Sequence, residues 1–210
     1  MDATATRAPR LPREQRREQL MAAALQAFVT EGYHAASMDS IAAAAGVTKP
    51  VLYQHFASKM DLYLALLDAS LSDLLDSAQT AMRSTTDNKQ RVSAMTHAYF
   101  TFVTSPTGAF RLVFESDLAN DPQVRERVEA ADLELAREAA LVISEDTGLS
   151  QEQALVIASG LQGMVQVAAR RWLRAEQTEV DQSEAIELLN ALAWRGIRGF
   201  PLTHPPAEPS

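Results

Sequence analysis

With 210 residues, 47% of them hydrophobic and 22% charged, the chain can bury a sizeable core, and this balance excludes an intrinsically disordered protein. The absence of cysteine removes disulfides, thiolate metal sites and cysteine nucleophiles and fits a reducing compartment. The net charge of −8 is unevenly spread: residues 1 to 60 hold seven Lys/Arg against five Asp/Glu, the rest twelve against twenty-two, so only the N-terminal third would not repel a polyanion.

Residues 1 to 12 lack apolar periodicity and read as a flexible arm. From Arg13, Leu20, Ala24, Ala27 and Phe28 recur at helical spacing until Gly32, which predicts a first helix. Ser37 is placed to cap a short second helix from Met38 to Ala45, closed by Gly46. Thr48 is placed to cap a third that begins at Lys49-Pro50 and ends near Phe56, with the proline in the first turn where its missing N–H costs nothing. Ser58 and Asp61 have the spacing of a capping box and open a long fourth helix carrying Leu62, Leu66, Ala69 and Leu74. A fifth runs from Asp87 to Thr104 with Val92, Met95, Tyr99 and Val103 on one face, and a short sixth follows Pro106. Asp121-Pro122 starts a seventh that stops near Gly148. Ser150 caps an eighth that reaches about Glu176, and the ninth spans Asp181 to Arg198, ending before Gly199. No segment alternates with period two, so the expected fold is all-α with nine helices. Met21 to Val29 is too short and too polar at Gln26 for a signal or membrane segment, and the expected location is cytoplasmic.

The segment from Ser37 to Phe56 has the form of a helix-turn-helix. Gly46 suits the tight turn, Ala42 and Ala45 let the two helices cross closely, and Ile41, Val47 and Leu52 lock them together. Gly46-Val47-Thr48-Lys49, then Leu52-Tyr53-Gln54-His55-Phe56 and Lys59, resemble the hallmark of the TetR family, and the match runs without a gap from about Arg13 to Leu66. The resemblance implies a helix-turn-helix domain over residues 13 to 57, a ligand-binding and dimerisation domain over 58 to 202, and a tail over 203 to 210. It also implies palindromic double-stranded operator DNA as the partner. Thr48, Lys49 and Gln54 are then placed to meet base edges, while Arg13, Arg17, Ser37, Tyr53, His55 and Lys59 are placed at phosphates.

The C-terminal part is read separately. Phe110 to Asp117 with Asp121-Pro122, Thr85 to Arg91, Gly160-Leu161-Gln162-Gly163-Met164, Arg170, Trp172-Leu173 and Ala193-Trp194-Arg195-Gly196 resemble the actinobacterial fatty-acid-synthesis regulators within that family. This implies a long-chain acyl-CoA as effector, with another apolar small molecule as the alternative, in a regulator of efflux or catabolism. Phe100, Phe110 and Phe114 are the expected cavity-lining residues. Helices 8 and 9, with Gly160, Gly163, Leu161, Met164, Leu189, Leu192 and Trp194, are the expected homodimer interface. No catalytic or metal-ligand constellation is present: the histidines at 34, 55, 97 and 204 have no metal spacing and no glycine-rich phosphate loop follows a strand. A helical lipid carrier that never touches DNA would explain the aromatic residues but not Lys49, Tyr53, His55 and Lys59 together. The operator sequence and the sign of regulation are not legible.

Overall fold

In the computed structural model the described residues are 11–175 and 179–196; the expected arm before Leu11 and the tail after residue 202 lie outside them. These residues form nine helices: α1 (Arg13–Glu31), α2 (Met38–Ala44), α3 (Lys49–His55), α4 (Lys59–Arg83), α5 (Asn88–Val103), α6 (Ala109–Phe114), α7 (Pro122–Thr147), α8 (Gln151–Arg174) and α9 (Gln182–Arg195). Among the described residues none is long and apolar enough to cross a membrane.

The element boundaries follow local chemistry. Ser37 and Ser40 form a reciprocal capping box at α2, Ser150 and Gln153 do the same at α8, and Asp87 and Asp181 accept first-turn N–H groups of α5 and α9. Ser58 accepts from the Asp61 N–H at 3.0 Å, as its spacing predicts. Thr48 holds the N-cap position of α3, but its side chain makes no cap hydrogen bond. The ninth helix ends three residues earlier than expected: Gly196, not Gly199, follows the last turn, its N–H bonded to the Leu192 carbonyl. The eighth stops at Arg174 rather than near Glu176, which itself is not among the described residues.

The chain divides into two compact units. The first runs to Ser70 and takes in Thr107–Val124, so it holds α1 to α3, the start of α4, and α6. Its core is Leu20, Phe28, Ile41, Leu52, Phe56, Leu62 and Tyr63, joined by Phe110 and Leu112 of α6. This partition differs from a domain boundary at 57/58. The reason is packing: the Tyr63 hydroxyl donates to the Leu112 carbonyl at 2.8 Å and meets Ser116 Oγ at 2.6 Å, while its ring lies edge-on to Phe28. Gly108 seals the same seam. Its φ is +73°, and a Cβ there would stand 2.7 Å from Val29 Cγ1, so only glycine brings α6 this close to α1. The second unit holds the rest of α4, α5 and α7 to α9. Small residues set its α7–α8 crossing, where Ala136, Ala140, Ala154 and Ala158 form one buried cluster.

Candidate nucleic-acid interface and effector cavity

In the first unit α2 and α3 are joined by three residues, Gly46 to Thr48, after the α2 C-cap at Ala45. Gly46 has φ +64°, its N–H bonds the Ala43 carbonyl, and the Val47 N–H bonds the Ala42 carbonyl. This paired closure satisfies carbonyls left over at the end of α2 and requires the left-handed conformation that glycine adopts freely. Helix α1 braces the pair from outside. Gln19 Nε2 donates to the Ala45 carbonyl at 2.9 Å, and the Arg17 guanidinium lies 4.3 Å from the Phe56 ring centroid and donates to the His55 carbonyl.

With Leu52 and Phe56 buried, α3 turns Thr48, Lys49, Tyr53 and Gln54 outward, all exposed, and His55 is half-buried beside them. Lys49 Nζ meets Asp39 Oδ2 at 2.9 Å in an exposed pair, which raises the lysine pKa; such a pair is weak enough for a phosphate or base to displace. Burial, followed by the charges of Arg13, Arg17 and Arg16, pushes the His55 imidazole below its ordinary value. These three arginines therefore reach the C-terminal end of α3 electrostatically, and the surface there is cationic although the protein as a whole is acidic.

Two of the sequence expectations for this surface change character. Ser37 is committed to capping, its Oγ accepting from Ser40 N and also bonded to Ser40 Oγ. The Lys59 ammonium donates to the carbonyls of Tyr33 and Ala36 at 2.7 Å each and of His34 at 3.4 Å, and lies 4.4 Å from the Tyr33 ring centroid. Its three protons are thus spent on the segment between α1 and α2. In the single chain Lys59 clamps that loop, beside the phosphate role expected from its place at the start of a helix.

The second unit contains a cavity of about 320 Å³ lined mainly by apolar side chains of α4, α5, α7, α8 and α9. Val92, Met95 and Tyr99, expected as one face of the fifth helix, all line it, together with Leu74, Leu135, Ile143 and Leu161. Phe100, Phe110 and Phe114 do not. Phe100 is fully buried against Trp172, with ring centroids 5.5 Å apart, and Phe110 and Phe114 stack on each other in the first unit. A buried aromatic stretch has the same sequence signature in a packed core as in a cavity wall. Apolar stripes at i, i+4 and i+8 on α7 were the better signal. Leu161, Met164 and Trp194, expected at a dimer surface, also line the cavity. The exposed face of α8 instead carries Val156 and Val167, 74% and 59% accessible, with Gly160 and Gly163, where an added Cβ would meet nothing within 4 Å.

Polar groups gather at the two ends of this cavity. At one, Arg91 Nε donates to the Met82 and Thr85 carbonyls, its Nη1 donates to Asn88 Oδ1, and Asn88 Nδ2 donates to Asp146. At the other, Gln162 and Gln166 each donate to Oδ1 of Asp132 at 2.8 Å. Burial pushes the Asp132 carboxyl up, against the lowering effect of the Gln166 and Gln162 hydrogen bonds and the Arg170 charge. Among the described residues no group of three or more His, Asp or Glu side chains is arranged to hold a metal ion.

A glycine-turned helix pair braced by a third helix, with a polar and cationic face on its second member, defines a helix-turn-helix DNA-binding module, here in one chain with a helical unit enclosing an apolar cavity. The comparisons agree. Residues 20–66 match the family model described as bacterial regulatory proteins, tetR family. The chain is 44% identical over 198 residues to the HTH-type transcriptional activator FasR of Mycolicibacterium smegmatis, covering 94% of this chain and 90% of that protein. It therefore belongs to the tetR family and is a DNA-binding transcription regulator, not an enzyme. A TetR-like regulator from Rhodococcus sp. RHA1 superposes with a TM-score of 0.72 at 26% identity, over 91% of this chain and all of that one. FadR from Bacillus subtilis, in complex with stearoyl-CoA, shares the fold with a TM-score of 0.72 at 16% identity, over 86% and 98% of the two chains.

Proposed function

We propose that this regulator binds a palindromic operator as a cytoplasmic homodimer and that an elongated apolar effector, a long-chain acyl-CoA, occupies the cavity of the second unit and alters DNA affinity, placing lipid metabolism under its control. The cavity carries this reading: about 320 Å³ with mainly apolar walls and a few polar groups is the make-up of a small-molecule site. The acyl-CoA assignment is supported by the resemblance to actinobacterial fatty-acid-synthesis regulators, by the identity to FasR, and by the stearoyl-CoA held by FadR on the same fold.

On the DNA side, Thr48, Lys49 and Gln54 at the exposed face of α3 meet base edges in the major groove. Tyr53, His55, Arg13 and Arg17 meet the phosphates on either side. Helices α8 and α9 pair with their counterparts in a second copy, because the valines on the outer face of α8 and the open space over Gly160 and Gly163 leave room for another helix to approach closely. Helix α4 supplies residues to both units and is the continuous connection along which cavity occupancy biases the spacing of two recognition helices.

Titration of the protein on its own promoter DNA with hexadecanoyl-CoA and shorter thioesters tests the effector. A tenfold change of affinity, about 1.4 kcal/mol of coupling, is the expected scale. Operator affinity unchanged at every chain length removes the acyl-CoA assignment and leaves the DNA-binding reading intact.

A further inference from the structure

Asp132 and Asp146 both lie on α7, fourteen residues apart, which is about 21 Å of helix axis. Each anchors one of the two polar clusters, and the apolar stripe Leu135, Ala139 and Ile143 faces the cavity between them. The cavity is therefore polar at both ends. At the Asp146 end the carboxylate is half accessible to water, which suits an entrance. The other end is more enclosed, and there the chemistry is directional. An ionised carboxylate accepts only, so Asp132 draws the NH₂ groups of Gln162 and Gln166 toward itself. Each amide then has its carbonyl oxygen left over, on side chains that line the cavity. A carbonyl oxygen on the wall of a mainly apolar cavity gains a partner when the occupant brings a hydrogen-bond donor.

We propose that Gln162 and Gln166, oriented by Asp132, form an acceptor pair at the inner end of the cavity that selects a chain bearing a hydrogen-bond donor, a hydroxyl, far from its head group. The proposal rests on the cavity being the effector site and deepens that reading. An extended alkyl chain advances about 1.27 Å per C–C bond, so the roughly 21 Å of α7 axis between the two aspartates corresponds to roughly 17 bonds, and the ligand class is a long-chain ω-hydroxyacyl compound. Asp132 is a positioning residue; the two glutamines touch the ligand.

The test is calorimetric titration of the full chain with two matched pairs: 16-hydroxyhexadecanoyl-CoA against hexadecanoyl-CoA, and 16-hydroxyhexadecanoate against hexadecanoate. The hydroxylated member of a pair is expected to bind at least tenfold more tightly. The Q162L/Q166L double variant should lose the preference, the ratio of affinities within each pair falling to about one. D132N, which preserves shape and frees the amides to turn, should reduce the ratio of affinities within each pair, and serves if the double variant fails to fold. Equal affinities within both pairs, or a preference that survives in the variants, overturns the proposal. If neither thioester binds but the free acids keep the preference, the acyl-CoA reading falls and the acceptor pair stands.

Discussion

Tyr53 and His55 sit two positions apart on α3 and make different predictions. Tyr53 is 43% exposed on a helix whose buried side is filled by Leu52, so its hydroxyl is free to reach a phosphate at little packing cost. Tyr53→Ala is expected to weaken specific and nonspecific DNA binding alike, by about 1 kcal/mol each, because a phosphate contact positions without reading sequence. Anisotropy titrations on operator and scrambled duplexes measure both, and a loss confined to the operator contradicts the assignment. His55 is held below its ordinary pKa by burial and by Arg13, Arg17 and Arg16. The free protein therefore favours neutral imidazole, and the histidine's contribution to stability is present above its unfolded pKa and lost as pH falls. Phosphates neutralise that arginine field, so the pKa rises in the complex and binding takes up a proton. Operator affinity should strengthen as pH drops from 7 toward 5.5, and His55→Gln should flatten the profile.

At the scale of elements, the prediction concerns the loop between α1 and α2. The Lys59 ammonium is hydrogen-bonded to three of its carbonyls, so Lys59→Met leaves acceptors without their donor and should cost about 1 to 3 kcal/mol of stability, read from denaturant midpoints. Tyr53→Ala should leave stability within about 0.5 kcal/mol. A Lys59 variant of undiminished stability that binds DNA less tightly would assign the lysine to the phosphates alone. This contrast also marks what the sequence makes legible. Helix starts follow from Ser37, Ser58, Asp87 and Ser150, since a cap is a local contract between neighbours three residues apart. Where a side chain goes across the fold is not local. Nothing near Lys59 says that it returns to carbonyls 23 to 26 residues earlier, nothing near Phe110 assigns it to the first unit, and nothing near Gln162 announces Asp132. The helix-turn-helix was readable because its turn glycine, small crossing residues and outward side chains occupy twenty consecutive positions. The cavity was not, because five helices build it.

For the whole molecule the governing prediction is assembly. Val156 and Val167 lie eleven residues apart on α8, three helical turns, with Gly160 and Gly163 between them on the same side. Val156→Glu with Val167→Glu should convert a dimer at micromolar concentration into monomers that stay folded, since neither valine is buried in the single chain. Sedimentation velocity reads the state, and a wild-type chain that sediments as a monomer removes the paired half-site. The monomeric variant should lose most of its operator affinity and keep its titration with acyl-CoA.

The opposite face of that same helix points inward: Leu161, Gln162, Met164, Val165 and Gln166 line the cavity while Val156 and Val167 face out. Mutational drift on the inner face can retune what the protein senses without disturbing what it assembles with, and drift on the outer face can insulate a duplicated copy from cross-pairing without changing what either copy senses. A single helix thus separates two evolutionary degrees of freedom, and lineages of such regulators can diversify in stimulus and in partner choice independently.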